Sequence, residues 1–228
     1  MMLGLVANMT NLILPRGCAG CDAPDEVLCP SCAALFACVV PFTPPAAGIA
    51  SYACSVYSGA SRRVILAWKD HADAECDRAL SGAMRALASQ VACAVTDGET
   101  MAVVPAPSSA RSARRRGRRH LVPVARSLAA WYRNMGVRAR AVDALAVHAT
   151  GKAVETMGRA GRVARVTGSH ISVRDAASVR GRDVILIDDI VTTGATMRAC
   201  VASLEAAGGR VAACLALSST PKYAVSVG

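Results

Sequence analysis

Aromatic residues are scarce in this chain, with two Trp, four Tyr and two Phe among 228 residues. The core must therefore be filled by Ala, Val, Leu and Ile, the usual filling of buried strands in α/β proteins. No stretch reaches about 18 uninterrupted, strongly apolar residues, so neither a membrane-spanning helix nor membrane insertion is expected. The Ala-rich run from Val201 to Leu217 is broken by Glu205 and Arg210. Met1 to Leu14 is fairly apolar, but no basic residue precedes it, Asn8, Thr10 and Asn11 interrupt it, and Pro15-Arg16 follows. It reads as a short helix and not a signal peptide. His71, His120, His148 and His170 are scattered, without an HxxxH or His-carboxylate pair, and none is assigned a catalytic role. Acidic residues are missing altogether between positions 100 and 142, a stretch that holds ten arginines within a chain of net charge +10. Such a concentrated basic field attracts polyanions: nucleic acid, an anionic membrane or a pyrophosphate-bearing substrate.

What is present begins with cysteine. Cys18-Ala19-Gly20-Cys21 and Cys29-Pro30-Ser31-Cys32 form two CxxC pairs separated by seven residues. That spacing can set four thiolates tetrahedrally around one Zn²⁺ through two tight turns, with Gly20 permitting one of them. A region this short would hardly fold without a metal. With four protein ligands no coordination position stays open, so the zinc is structural, and the module is a possible docking surface. Two local disulfides or redox-active pairs are the alternative. Cys38, Cys54, Cys76, Cys93, Cys200 and Cys214 lack such spacing and read as small packing residues in a reducing cytoplasm.

The first forty residues form the N-terminal helix and four-cysteine module, residues 41–48 a Pro-rich linker, and residues 49–228 a second domain. In that domain a strand is expected over Ile49 to Tyr57, helices over Ser61 to Trp68 and Asp77 to Val95, and a buried strand over Met101 to Val104. An arginine-rich loop follows, then a helix from Leu121 to Tyr132 and a strand from Val137 to Val142. Leu145 to His170 shows no sustained period but four glycines, a lysine and three arginines, as a mobile loop near a ligand would. The last unit is strand Asp183 to Ile187, turn, helix Ala195 to Ala207, a Gly208-Gly209 stop and strand Val211 to Leu217. This β-α-β unit makes a parallel sheet flanked by helices the expected architecture.

Val184 to Ile187 is a continuous apolar run that delivers Asp188 and Asp189 to the C-terminal edge of the sheet, where open α/β folds bind ligands. Carboxylates there can accept from vicinal hydroxyls or help hold a hydrated Mg²⁺. Thr192, Thr193, Gly194, Ala195 and Thr196 follow at a helix start, where unpaired amides and the helix dipole favour a phosphate. An ordinary capped strand-turn-helix is the plain alternative. VILIDDIVTTGAT, Val184 to Thr196, resembles the 5-phosphoribosyl 1-pyrophosphate signature of type I phosphoribosyltransferases. The resemblance implies that Asp188 and Asp189 contact the ribose hydroxyls and that Thr192 to Thr196 wrap the 5′-phosphate.

Val104-Pro105-Ala106-Pro107-Ser108-Ser109 leads into Arg111, Arg114, Arg115, Arg116, Gly117, Arg118 and Arg119. Guanidinium forks suit phosphate oxygens, and a solvated basic loop or a nucleic-acid contact would use the same residues. In type I phosphoribosyltransferases the corresponding loop holds pyrophosphate, which points to Ser108, Ser109 and Arg111. Together with the cysteine pairs, Val64 to Lys69 and GRAGRVARV at Gly158 to Val166, the order of motifs resembles the ComF family over nearly the whole chain. That family is associated with DNA uptake in competent bacteria. The resemblance implies that Lys69 and Arg162 lie near the pyrophosphate or a mobile loop, with Arg162 joining Asp188 and Asp189 in catalysis. Many relatives read RGFNQ where this chain has Arg116-Gly117-Arg118-Arg119-His120, and a glutamine and an asparagine where it has Val154 and Arg165. These departures fall in loops that would choose an acceptor.

Two functions follow from the resemblance: a Mg²⁺-dependent transfer of the phosphoribosyl group to an acceptor, or a non-catalytic factor that senses phosphoribosyl pyrophosphate and binds single-stranded DNA. Few aromatics for base stacking count against the second. A protein-docking adaptor working through the zinc module is a third.

Overall fold

The computed structural model describes residues 17–70, 73–91, 100–108, 110–149 and 169–224. The helix expected over Met1 to Leu14, Ser109, Arg162 and the Gly158 to Val166 motif lie outside them.

After the cysteine segment and helix α1 (Pro30–Ala34) come strands β1 (Val40–Pro41) and β2 (Ala50–Ala53), helix α2 (Gly59–Asp70) and helix α3 (Asp77–Gln90). Strand β3 (Thr100–Pro105), helices α4 (Ala110–Arg116) and α5 (Leu121–Asn134), and strand β4 (Arg138–Ala141) follow. Strands β5 (Leu145–Ala149) and β6 (Ser169–Val173), strand β7 (Asp183–Val191), helix α6 (Ala195–Ala206) and strand β8 (Arg210–Ser219) complete the chain. The main sheet has the order β1-β2-β8-β7-β3-β4, parallel throughout except for β1. Val40–Pro41 pairs with Tyr52 and Ala53, so the first residue of the stretch expected to be a linker lies in a strand of the sheet.

β7 is central, and its run Val184-Ile185-Leu186-Ile187 is wholly buried because helices cover both faces. Period-two alternation sends Ile185 and Ile187 into one core cluster with Trp68, Leu80 and Leu128. Val184 and Leu186 enter the other, with Met197 and Leu204 of α6. At the end of α6, Gly208 (φ +85°) takes the left-handed position and donates to Glu205 O, while Gly209 donates to Leu204 O. These two bonds are a Schellman stop and turn the chain back into β8.

The strand expected over Ile49 to Tyr57 is a strand only over Ala50–Ala53, and three further segments depart from the sequence reading. The arginine-rich loop is helical over Ala110–Arg116, because alanine and arginine are strong helix formers and no glycine intervenes before Gly117 (φ +67°). The ends of the segment expected to be a mobile loop are strands: β5 pairs with β6 antiparallel, Leu145 opposite Val173. β7 runs four residues past Ile187, because β8 continues to pair with it as far as Val191 opposite Ser219. Asp188 and Asp189 therefore lie within a strand.

Candidate functional site

Position in a strand fixes what the two aspartates can do. Adjacent strand residues face opposite sides, and each carboxylate also accepts the next amide: Asp189 N–H to Asp188 Oδ1 and Ile190 N–H to Asp189 Oδ1, both 2.8 Å. Asp189 Oδ2 takes two further donors, Lys69 Nζ at 2.6 Å from the end of α2 and His120 Nε2 at 2.8 Å from the N-cap of α5. Both aspartates are buried, at 8% and 5% exposure, with divergent electrostatics. Burial, reinforced by the charge of Asp189, pushes the Asp188 carboxyl well above the usual range. Burial would raise Asp189 too, but the His120 hydrogen bond and the Lys69 ammonium outweigh it and hold Asp189 well below the usual range.

A cavity of about 320 Å³ opens at this C-terminal edge. Asp188, Asp189, Thr192 and Thr196 line one side, and Lys69, Ser108, Arg116 and His120 the others. The Ala106 amide donates to Ile187 O at 2.7 Å, which ties the end of β3 to β7 and brings Ser108 beside the aspartates. Beside the cavity, Asp188 and Ile190 to Met197 enclose a small recess of about 20 Å³ at the start of α6. Gly194 caps that helix at φ +66°, a conformation that L side chains rarely adopt, and a Cβ there would collide with Tyr223.

Thus Asp188, Asp189, Thr192, Thr196, Lys69 and Ser108 converge on one cavity, with Thr193, Gly194 and Ala195 on the adjoining recess. Arg111 falls on the backbone of α4. Two residues that sequence reasoning passed over join them. Arg116 was one of a run of arginines, but its side chain is only 8% exposed and pairs with Asp70 at 3.1 Å. His120 has no carboxylate or second histidine near it in sequence; its partner is 69 residues away. Three further arginines of the run are engaged too: Arg115 with Asp70, Arg118 with Asp77 at 2.5 Å, and Arg119 with Asp143. Asp77 also accepts the Trp68 indole N–H at 2.6 Å, and Trp68 meets His120 edge to face.

At the other end, the ligating sulfurs of Cys18, Cys21, Cys29 and Cys32 all lie within 4.8 Å of one another. Sulfurs around a tetrahedral zinc at about 2.3 Å are roughly 3.8 Å apart, so the cluster could hold zinc. Cys18 Sγ accepts the amides of Gly20 (3.4 Å) and Cys29 (3.3 Å). Although burial opposes it, those amides and that of Cys21 bring the Cys18 thiol down to about 6, favouring the thiolate that a metal requires. A Cβ on Gly20 would sit 2.5 Å from Cys32 Sγ, so this turn admits only glycine without a shift. Among the described residues every cysteine is free, and no helix is long and apolar enough to cross a membrane.

Residues 114–226 match the family model described as phosphoribosyl transferase domain. No curated protein matches the sequence. Similar solved structures include adenine phosphoribosyltransferase from Thermoanaerobacter pseudethanolicus, 22% identical with a TM-score of 0.37, covering 66% of this chain and 71% of that one. Phosphoribosylpyrophosphate synthetase from Mycobacterium smegmatis is 20% identical with a TM-score of 0.32, and 64% of this chain spans 33% of that longer one. Hypoxanthine-guanine phosphoribosyl transferase from L. donovani is 15% identical with a TM-score of 0.30, covering 80% of this chain and 71% of that one. The mostly parallel sheet with helices on both faces and the family match over residues 114–226 establish a phosphoribosyltransferase-like fold.

Proposed function

We propose that this protein binds 5-phosphoribosyl 1-pyrophosphate with Mg²⁺ and transfers its phosphoribosyl group to an acceptor. The observation that carries the reading is the cavity in which two buried aspartates, Thr192, Thr196 and the cations Lys69 and Arg116 meet, with Thr193 to Ala195 on the adjoining recess. Asp189, held ionised, accepts from a ribose hydroxyl, and Asp188 lies beside it for the second. The hydroxyls of Thr192, Thr193 and Thr196 and the amides opening α6 take the 5′-phosphate, with Gly194 and Ala195 letting the backbone approach. Ser108 and Lys69 face the pyrophosphate, joined by Ser109, Arg111 and Arg162.

In the reaction the bond from C1 to the pyrophosphate oxygen breaks, the oxygen keeps the electron pair, and an acceptor nitrogen attacks the oxocarbenium-like C1. Lys69 and Arg116 act where negative charge builds on the leaving oxygens, in a setting that preorganises them. Were Mg²⁺ to accompany the pyrophosphate, Asp188 and Asp189 would be the carboxylates to hold its water shell. When bound, that ion neutralises the departing pyrophosphate.

The zinc-ready module ahead of this domain and the order of motifs favour a ComF-like protein. The scarcity of aromatic side chains for base stacking favours transfer over nucleic-acid binding. Calorimetry with phosphoribosyl pyrophosphate and Mg²⁺ tests the reading, followed by a pyrophosphate-release screen over nucleobases and amines. Asp189→Asn is expected to weaken binding by roughly 10- to 100-fold, the worth of a charge-assisted hydrogen bond. Absence of binding by the intact protein would sink the reading.

A further inference from the structure

His120 has no role in the reading above, yet it is 2% exposed and reaches the ribose-side carboxylate across 69 residues of sequence. An ionised carboxylate can only accept, so Nε2 carries the hydrogen of this 2.8 Å contact. Lys69 Nζ shares the same oxygen, Oδ2, while the Ile190 amide holds Oδ1. Donors from α2, α5's cap and β7 itself thus fix one carboxylate.

The two side-chain donors differ in freedom. Lys69 is 24% exposed on a flexible stem, whereas His120 is wedged edge to face on Trp68, with ring centroids 4.8 Å apart. Trp68 is in turn pinned by its indole hydrogen bond to Asp77. The second imidazole nitrogen, Nδ1, is buried without a hydrogen-bond partner among the described residues. Leaving a buried polar atom unpaired is destabilising, and a leucine or phenylalanine could pack on Trp68 without that cost. What histidine adds over either is the Nε2–H aimed at Asp189.

We propose that His120 is a positioning residue for the ribose-binding carboxylate, resting on the reading that Asp189 receives a ribose hydroxyl. When the pyrophosphate enters, its oxygens compete for the Lys69 ammonium. His120 then keeps Oδ2 in place and leaves the carboxylate oriented toward the sugar while the lysine turns to the leaving group. One site thereby separates the cation that follows the reaction from the donor that stays.

The test uses the full chain and the variants His120→Gln and His120→Leu, each also combined with Asp189→Asn. Calorimetry with phosphoribosyl pyrophosphate and Mg²⁺ should show His120→Gln within about threefold of the parent, since an N–H donor remains. His120→Leu should lose roughly 10- to 100-fold, and should lose nothing further in the Asp189→Asn background. Equal losses for glutamine and leucine, or additive losses in the double variant, would mean that packing is all the histidine does and overturn the proposal. A second readout needs no ligand. In imidazole ¹⁵N–¹H spectra of the free protein, Asp189→Asn should move the His120 Nε2–H resonance, and an unmoved resonance also overturns the proposal. If it moves while the intact protein binds no phosphoribosyl pyrophosphate, the positioning contact stands and the ligand reading alone falls.

Discussion

Asp188 and Asp189 are chemically identical neighbours that the fold drives apart. Asp189 has two cationic or polar side-chain donors, and Asp188 has burial and its neighbour's charge. The consequence for stability has a definite sign. Asp188 binds its proton more tightly in the folded chain than in the unfolded one, so this proton contributes stability that is full below the unfolded value of about 3.9. That contribution is lost as pH rises through the raised folded value. Asp189 has the opposite sign: its contribution is present above the unfolded value and is lost as pH falls through the lowered folded one. Asparagine at 188 mimics the protonated form at every pH. In metal-free buffer Asp188→Asn should therefore raise Tm, by about 2–4 °C for each kcal/mol relieved in a chain of this size. The gain should be larger at pH 8 than at pH 5, while ligand binding weakens. A lower Tm in the variant across this range would show that the buried carboxylate is not costing the free protein stability.

At the scale of elements, helix α2 links the two ends of the molecule. Arg63 Nε donates to Gly20 O at 2.5 Å, Gly20 lies against Cys32 and Val64, and the same helix ends in Trp68, Lys69 and Asp70 at the cavity. Gly20→Ala would push a methyl into Cys32 Sγ. It should therefore reduce bound zinc below about one equivalent in a thiol-displacement assay and lower Tm, as should a strong chelator on the parent. Retention of full zinc by Gly20→Ala would show that the turn opens freely. What was legible in the sequence follows the same division. The run from Val184 to Thr196 and the CxxC spacing are local, so strand, loop, helix start and sulfur cluster could be read directly from neighbouring residues. The β7 extension to Val191 was not, since it depends on pairing with Ser218 and Ser219 of β8. Helix α4 is less legible because a dense run of arginines fits a basic anion-binding loop as well as it fits a helix. Strands β5 and β6 have five residues each, too short for alternation to stand out beside the glycine-containing segment between them. His120 and Lys69 meet Asp189 only through the tertiary fold, and no spacing along the chain encodes that meeting.

For the whole molecule, the net charge of +10 invites a polyanion, but charge alone does not distinguish a field from a site. Four arginines between positions 115 and 119 already face carboxylates of the same chain, and the more exposed of these pairs, those of Arg115 and Arg119, contribute little to stability. The cavity is different, because its walls come from α2, the end of β3, α4, the start of α5 and the β7–α6 turn. A ligand that spans it couples segments the chain otherwise joins only through the core. Binding to the folded state alone stabilises by about 2.7 kcal/mol at 100 times the dissociation constant. For a chain of this length that amounts to a Tm rise of roughly 5–10 °C. Phosphoribosyl pyrophosphate with Mg²⁺ should produce that rise at 150 mM salt. Inorganic pyrophosphate at equal ionic strength should give much less, because it engages Lys69 and Arg116 without bridging to the aspartates or to the Thr192 to Thr196 loop. The difference should vanish in Asp189→Asn. Equal shifts from both ligands that fade together as salt increases would instead assign the effect to the basic field and leave the cavity without its sugar.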